Sequence, residues 1–314
     1  MLTVLMATHN GATTLPRVLN SYCQLVEPAG GWRLVVVDNV SVDATGEILA
    51  GFAGSLPITP VRIEKRGKNV ALNVGLDLVD GDLVVFTDDD AIVDRQWLVR
   101  LRQVADQQAD FDVFGGRIDP VWPDRLPEWI PRVVNLGATY AITPRGLRSG
   151  PVSASQVWGA NMAIRTSVFL RGHRFNEAVG PSTGQYMMGS ELELTCRIER
   201  LGHKAWFVED AQVGHIIRSH QLDRQWIIKR AYRLGRHMFH QEIDSIPRDV
   251  KMLRGAPRWK YRELIAALGN SLRCALARDD DGKFLADWQL SFLRGYLAEA
   301  GTSTQARSHG ALVR

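Results

Sequence analysis

Short apolar runs alternate with helix-like segments through the first half of the sequence, which restricts the chain to an α/β domain on a largely parallel sheet. The predicted strands are Leu2–Ala7, Arg33–Val37, Val61–Glu64, Leu83–Phe86 and Val113–Gly116. Between the first two, Leu15, Val18, Leu19 and Tyr22 recur at helical spacing, with Thr14 as a cap and Pro16 in the first turn. Val70–Leu78 and Gln96–Ala105 are two further predicted helices. Ligands of open α/β sheets bind outside the carboxyl ends of the strands. His9-Asn10, Asp38-Asn39 and Asp88–Asp90 all follow predicted strands, so they are expected to face one crevice.

The run Thr87-Asp88-Asp89-Asp90 is the sharpest of these strand ends. Three adjacent carboxylates repel one another, and a bound cation relieves the repulsion; taken alone, the run reads first as a solvated turn or helix start. Trp122 to Ser155 is rich in Pro, Trp, Gly and Arg without periodicity and suggests an irregular insertion or flexible loop. After Gly189, Ser190 and Glu193 fit a capping box, Leu194, Ile198 and Leu201 form an apolar face, and Gly202 ends the helix. Trp206-Phe207-Val208 then reads as a strand leading to His215.

Beyond about Ser219 the pattern is helical. Three stripes are expected to pack: Ile227, Ala231, Leu234 and Met238; Leu264, Ile265, Leu268 and Leu272; Leu285, Trp288, Phe292 and Tyr296. Arg224, Lys229, Arg230, Arg233 and Arg236 crowd the first of these helices, which suits a membrane surface or a solvated flank around a packed stripe. The net charge of +4 conceals an asymmetry: from Ile216 onward 18 Lys+Arg face 10 Asp+Glu, and before it 20 face 24. Residues 301–314 are polar and small, and disorder is expected there. Cys23, Cys196 and Cys274 form no Cys-x-x-Cys pair, which argues against structural zinc and a disulfide framework. The amino terminus lacks the pattern of a signal peptide and no stretch is long enough to span a bilayer, so a soluble, cytoplasmic protein is expected.

Five segments now stand in a fixed order. They are Val4–Asn10, Val35–Thr45, Gly67–Gly75, Thr87–Asp90, and Gly189–Leu194 followed by His215. In this order they resemble the inverting glycosyltransferases of family 2 over roughly Leu2 to His215. The resemblance implies a GT-A nucleotide-sugar-binding fold, an α/β architecture with a mixed, mainly parallel sheet, over residues 1–218. A basic helical C-terminal region (219–300) and a tail (301–314) complete the expected organisation.

The resemblance also implies roles. Thr8, Asn10 and Asp38 would hold the base and ribose of the donor, although Asp38 followed by Asn39, Ser41 and Asp43 also reads as a turn former. Asp88 and Asp89 would lie near the ribose and sugar, and Lys68, with Arg66, near the diphosphate. Asp90 and His215 would hold Mn²⁺ or Mg²⁺. Glu191 aligns with the family's catalytic base, an Asp that usually follows Gly-Glu; Gly189-Ser190-Glu191 departs from that pattern by residue and by one methylene. Trp158 and Asn161 lie in a segment similar to the one facing sugar and acceptor. Gly180-Pro181-Ser182-Thr183-Gly184 matches an esterase elbow but lacks the strand and helix that motif needs. Gln221–Trp226 is similar to a signature of processive members with one residue too many, so a non-processive enzyme is expected.

The implied function is metal-dependent inverting transfer of a sugar, from a UDP-linked donor, to a hydroxyl of a glycan, a lipid-linked acceptor or a small molecule. Peripheral contact with the inner membrane surface through the basic helical end is a further expectation, and nucleic acid is not an expected partner. Two other functions remain open on the residues. One is a nucleotidyltransferase on a similar scaffold; the other is a non-catalytic nucleotide-binding or scaffold protein.

Overall fold

A computed structural model gives the fold and describes residues 1–123, 125–180, 187–247 and 249–310. The chain divides into two compact units, one comprising Met1–Trp122, Leu136–Gln185 and Ser190–Ile217, the other Pro123–Asn135, Tyr186–Gly189 and Arg218–Arg314. The second unit draws in short segments from the middle of the sequence, which a linear division at residue 218 assigns elsewhere.

The first unit begins β1 (Leu2–Thr8), α1 (Leu15–Tyr22), β2 (Trp32–Asn39), α2 (Thr45–Gly51), β3 (Ile58–Ile63), α3 (Lys68–Leu76) and β4 (Leu83–Asp88). There follow β5 (Ala91–Val93), α4 (Trp97–Gln107) and β6 (Val113–Val121). The middle of the chain forms α5 (Ile130–Val133), α6 (Leu136–Tyr140), β7 (Gly150–Val152), β8 (Met162–Arg165) and α7 (Thr166–Leu170). The unit closes with α8 (Ser190–Arg200) and β9 (Ala205–Ile216). The strands form one mixed sheet in the order β3-β2-β1-β4-β8-β6-β9-β5, with β7 paired to β9.

The half β3-β2-β1-β4 is parallel throughout. Leu34 to Val37 on β2 and Leu83 to Val85 on β4 are fully buried, the signature of strands covered on both faces. A side chain at Gly75 would place its Cβ 2.2 Å from Leu5 Cδ1, so glycine lets α3 lie directly on β1. Phe86 meets Phe169 and Phe175 edge-on at 5.7 and 5.3 Å and seals the neighbouring core.

Several boundaries differ from expectation for local reasons. β3 starts before Pro60, because it is the outer strand of the sheet, where a missing N–H is tolerated. β6 continues through Gly115-Gly116 to Val121 by a register shift between Gly116 and Arg117, a bulge that glycine accommodates. Thr14 occupies the cap of α1, but its hydroxyl donates to Gly11 O and caps no helical N–H. Ser190 is already helical and Glu193 is held by Arg197 at 2.8 Å, in place of a capping box. Leu201 lies past the helix end and is 64% exposed, while Gly202, with φ +98°, turns the chain. The segment expected to be irregular contains α5, α6 and β7 and buries Ile130 and Tyr140. The Gly180–Gly184 match lies outside the described residues except for Gly180.

The second unit contains α9 (Arg224–Glu242), the hairpin β10 (Met252–Leu253) and β11 (Ala256–Pro257), α10 (Arg258–Leu276) and α11 (Asp280–Gly310). Ile227 and Ala231 of α9 are buried, as are Phe284, Leu293 and Tyr296 of α11. A Cβ at Gly235 would meet Phe292 O at 1.9 Å and one at Gly295 would meet Tyr232 O at 2.0 Å, so α9 and α11 touch backbone to backbone. Three of the basic residues of α9 turn inward on this unit. Arg224 lies over the Trp129 ring at 4.8 Å, Arg230 over Trp226 at 5.4 Å, and Arg236 pairs with Glu299 at 2.7 Å. Two expectations are corrected: the second stripe, on α10, is largely exposed, and α11 runs on as helix to Gly310 through residues expected to lack order. Among the described residues no helix is long and apolar enough to cross a membrane.

Candidate active site

Parallel register brings the polar strand ends together. Thr8 is paired with Asp38 across β1 and β2, and Ala7 with Asp88 across β1 and β4. The Thr8 hydroxyl donates to Asp89 Oδ2 at 2.5 Å, tying the end of β1 to the acidic run. Asp38 is buried, and its two oxygens accept from Ser41 N at 2.9 Å and Arg62 Nη1 at 3.0 Å. A turn-forming role and donor binding were both open for this residue; its bond to Ser41 N, three residues on, commits one oxygen to the local chain. Asn10 adopts φ +53°, accepts from Val42 N through Oδ1 and donates its own N–H to Ser41 Oγ, both at 2.9 Å. Thr8, Asn10 and Asp38 thus share one polar rim, on which Arg62 is a residue the sequence did not single out.

Lys68 opens α3 and reaches two carboxylates at once, Asp88 Oδ1 and Glu191 Oε1, each at 2.6 Å. Burial disfavours the ammonium, but the two carboxylates outweigh it and hold the Lys68 pKa well above its ordinary value. Burial pushes Asp88 up, with Glu191 and Asp90 adding to the effect and Lys68 opposing it. Glu191 lies in the first turn of α8, and β5, α4, β6 and the middle of the chain separate it in sequence from the acidic run. Folding alone brings the two together, with Lys68 as the link. The Glu191 side chain crosses Gly159, where a Cβ would lie 2.4 Å from Glu191 Cγ.

Asp90 and His215 are placed by β5 and β9, whose register sets Ala91 opposite His215. His215 Nδ1 lies 2.7 Å from Tyr140 O, which only accepts, so Nδ1 carries a proton and Nε2 faces Asp90 Oδ1 at 3.5 Å. Burial disfavours the imidazolium, yet the hydrogen bond to Asp90 outweighs it and raises the His215 pKa. A neutral Nε2 would set a lone pair against a carboxylate, so this pair calls for a proton or a cation between its atoms. Among the described residues no three His, Cys, Asp or Glu side chains are grouped for a metal. Asp90 and His215 would offer two protein ligands to a hard cation.

The acceptor-side expectations divide. Trp158 is half-buried beside Gly159, the residue that the Glu191 side chain crosses. Asn161 is fully buried and committed elsewhere: Oδ1 accepts from Trp97 Nε1 at 2.8 Å, and Nδ2 donates to Arg117 O and Ala211 O at 2.9 and 2.8 Å. Its assignment to acceptor binding is corrected to a cross-link between β6, α4 and β9. Arg66 is exposed. Asn69 and Asn73 brace the loop after α7, donating to Asn176 O and Val179 O at 2.7 and 2.8 Å and to Phe175 O at 2.9 Å.

The family described as Glycosyl transferase family 2 matches residues 3–171, more than half of the chain. A glucosyl-dolichyl phosphate glucuronosyltransferase of Haloferax volcanii is 24% identical over 173 residues, 55% of each chain, so the match spans about half that relative's length. Glycosyltransferase AglE of the same organism is 24% identical over 237 residues, 74% of this chain and 71% of its own. Among solved structures, the mannosyltransferase PcManGT from Pyrobaculum calidifontis, in complex with GDP-Man and Mn²⁺, aligns with a TM-score of 0.63 at 21% identity, over 95% of this chain and 86% of its own. S. aureus TarS 1-349 in complex with UDP-GlcNAc aligns with a TM-score of 0.53 at 16% identity, over 91% and 90%. The fold is the GT-A fold of these structures, and the chain belongs to the family described as Glycosyl transferase family 2.

Proposed function

We propose that the chain carries out metal-dependent, inverting, non-processive transfer of one sugar from a nucleotide-sugar donor, UDP-linked, to an acceptor hydroxyl, with Glu191 as general base. The observation that carries this reading is the Lys68 bridge between Asp88 and Glu191, at 2.6 Å to each. An inverting displacement needs its base beside the donor's sugar, and the bridge supports that arrangement with the donor-side carboxylate and the base in one cluster.

In this reading Thr8, Asn10 and Asp38 orient the nucleoside at the ends of β1 and β2, and Asp88 and Asp89 lie toward the ribose and sugar. The Glu191 carboxylate takes the proton of the acceptor hydroxyl as its oxygen bonds to the anomeric carbon. The bond from that carbon to the diphosphate oxygen breaks on the opposite face, and the nucleoside diphosphate leaves. Lys68 offers its ammonium to the incoming phosphates, and Trp158 flanks the acceptor. Asp90 and His215 would hold Mn²⁺ or Mg²⁺, which supplies neutralisation of the charge that develops on the diphosphate. The acceptor is a glycan, a lipid-linked molecule or a small molecule. The glucosyl-dolichyl phosphate in the Haloferax relative's name supports the lipid-linked class, and with it peripheral membrane contact by the basic helical end.

Titration and turnover with UDP- and GDP-sugars in Mn²⁺ test the reading. Glu191→Gln is expected to lower transfer by about 10²-fold or more while donor affinity stays within about twofold. Asp90→Ala is expected to weaken donor binding in Mn²⁺ and to leave it unchanged in a chelator. Equal loss of binding and turnover in Glu191→Gln sinks the base assignment. Release of pyrophosphate in place of nucleoside diphosphate would identify a nucleotidyltransferase.

A further inference from the structure

The face of α10 expected to pack is instead turned outward. Ile265 is 69% exposed, Leu268 45%, Leu272 64% and Leu276 80%. Their spacing of three and four residues sets them on one stripe, about 16 Å long at the helical rise. The opposite side of the same helix packs within its own unit, where Ala267 joins Leu290 and Leu293. α10 therefore carries a second apolar face that the packing of its unit does not use.

Basic residues share that outer face. At about 100° per residue, Arg258 falls on the line of Ile265, Leu272 and Leu276, with Arg262 and Arg273 to one side. All three arginines are exposed, and among the described residues none is in an ion pair; Arg273 donates to the neutral Asn270 at 2.7 Å. The hairpin before α10 continues the pattern. Arg254 and Gly255, with φ +44° and +81°, make its two-residue turn, and Met252 (40%), Leu253 (44%) and Trp259 (41%) are exposed beside Lys251 and Arg254. This is the part of the sequence with 18 Lys+Arg against 10 Asp+Glu. A second copy seated on this surface would set like charges together, whereas a layer of anionic lipid headgroups complements it.

We propose that the outer face of α10 and the hairpin before it form a docking surface for an anionic phospholipid bilayer. Ile265, Leu268, Leu272 and Leu276 enter the boundary between headgroups and acyl chains, and the arginines meet lipid phosphates. This deepens the peripheral contact proposed above and is independent of the transfer chemistry: the vesicle test needs no donor, and the transfer test needs no vesicles.

The test is sedimentation of the full chain with vesicles of phosphatidylcholine alone or with about 30% phosphatidylserine, at low and raised salt. Binding is expected only with the anionic lipid and falls as salt rises. Leu272→Glu is expected to weaken it by about tenfold or more, and Arg262→Glu with Arg273→Glu by at least about 30-fold. These positions are exposed, so unchanged circular dichroism and melting confirm that each variant folds. Absence of binding to anionic vesicles, or equal binding by the variants, overturns the proposal. So does a wild-type dimer that Leu272→Glu dissociates without any vesicle binding, which would make a second copy the occupant.

Discussion

Lys68→Met removes the cation between Asp88 and Glu191 and keeps most of the side chain's bulk. The two carboxylate oxygens each lie 2.6 Å from Nζ, so they are at most 5.2 Å (2.6 + 2.6) apart. At an effective dielectric of about 20, two unit charges at that distance repel by about 3 kcal/mol. The single variant should therefore lose about 3 kcal/mol from repulsion, in addition to whatever balance of attraction and desolvation Lys68 itself contributed. Adding Glu191→Gln removes one of the charges and should return about 3 kcal/mol, whereas Glu191→Gln in the wild type should itself destabilise, because the lost pair with Lys68 at 2.6 Å outweighs the relieved repulsion. Urea unfolding of the four proteins in a chelator, so that no metal screens the cluster, gives the coupling directly. A coupling below about 0.5 kcal/mol, the range of independent sites, would refute the electrostatic account of the cluster.

Two other outcomes separate scaffold from site. Asn161→Ala leaves Trp97 Nε1, Arg117 O and Ala211 O without their bonds and should cost about 3–5 kcal/mol in unfolding experiments; an unchanged melt with a raised acceptor KM would restore its acceptor role. Burial pushes Glu299 up, but His240 and Arg236 outweigh it and hold its carboxyl below the ordinary value. A depressed folded-state value contributes stability above the unfolded value, about 4.3, and loses it as pH falls through the folded value. The stability difference between wild type and Arg236→Gln should accordingly be full above about pH 5 and shrink on acidification; a difference that grows toward low pH would contradict the assignment.

What the sequence discloses and what it withholds follow from the range of each interaction. The parallel half of the sheet was legible because each strand's apolar run and polar end are contiguous, and β-pairing in register then places Thr8, Asp38 and Asp88 side by side. Asn161 was misread because its three partners, at positions 97, 117 and 211, are remote in sequence, and a buried amide carries no local mark of what it bonds. Elements as short as α5, α6 and β7 have no period to detect, so packing defines them and composition does not. The helical end shows the same limit in a form that bears on function. Charge density singles out α9 as the helix for an acidic surface, yet Arg224, Arg230 and Arg236 are taken up by Trp129, Trp226 and Glu299. Periodicity marks an apolar stripe on α10 but cannot say what covers it, since a stripe facing a core and one facing a lipid layer have the same spacing. The packing of Ala267 on the other side shows that the stripe is turned away from its own unit, which is why the proposed lipid contact is placed on the less basic helix.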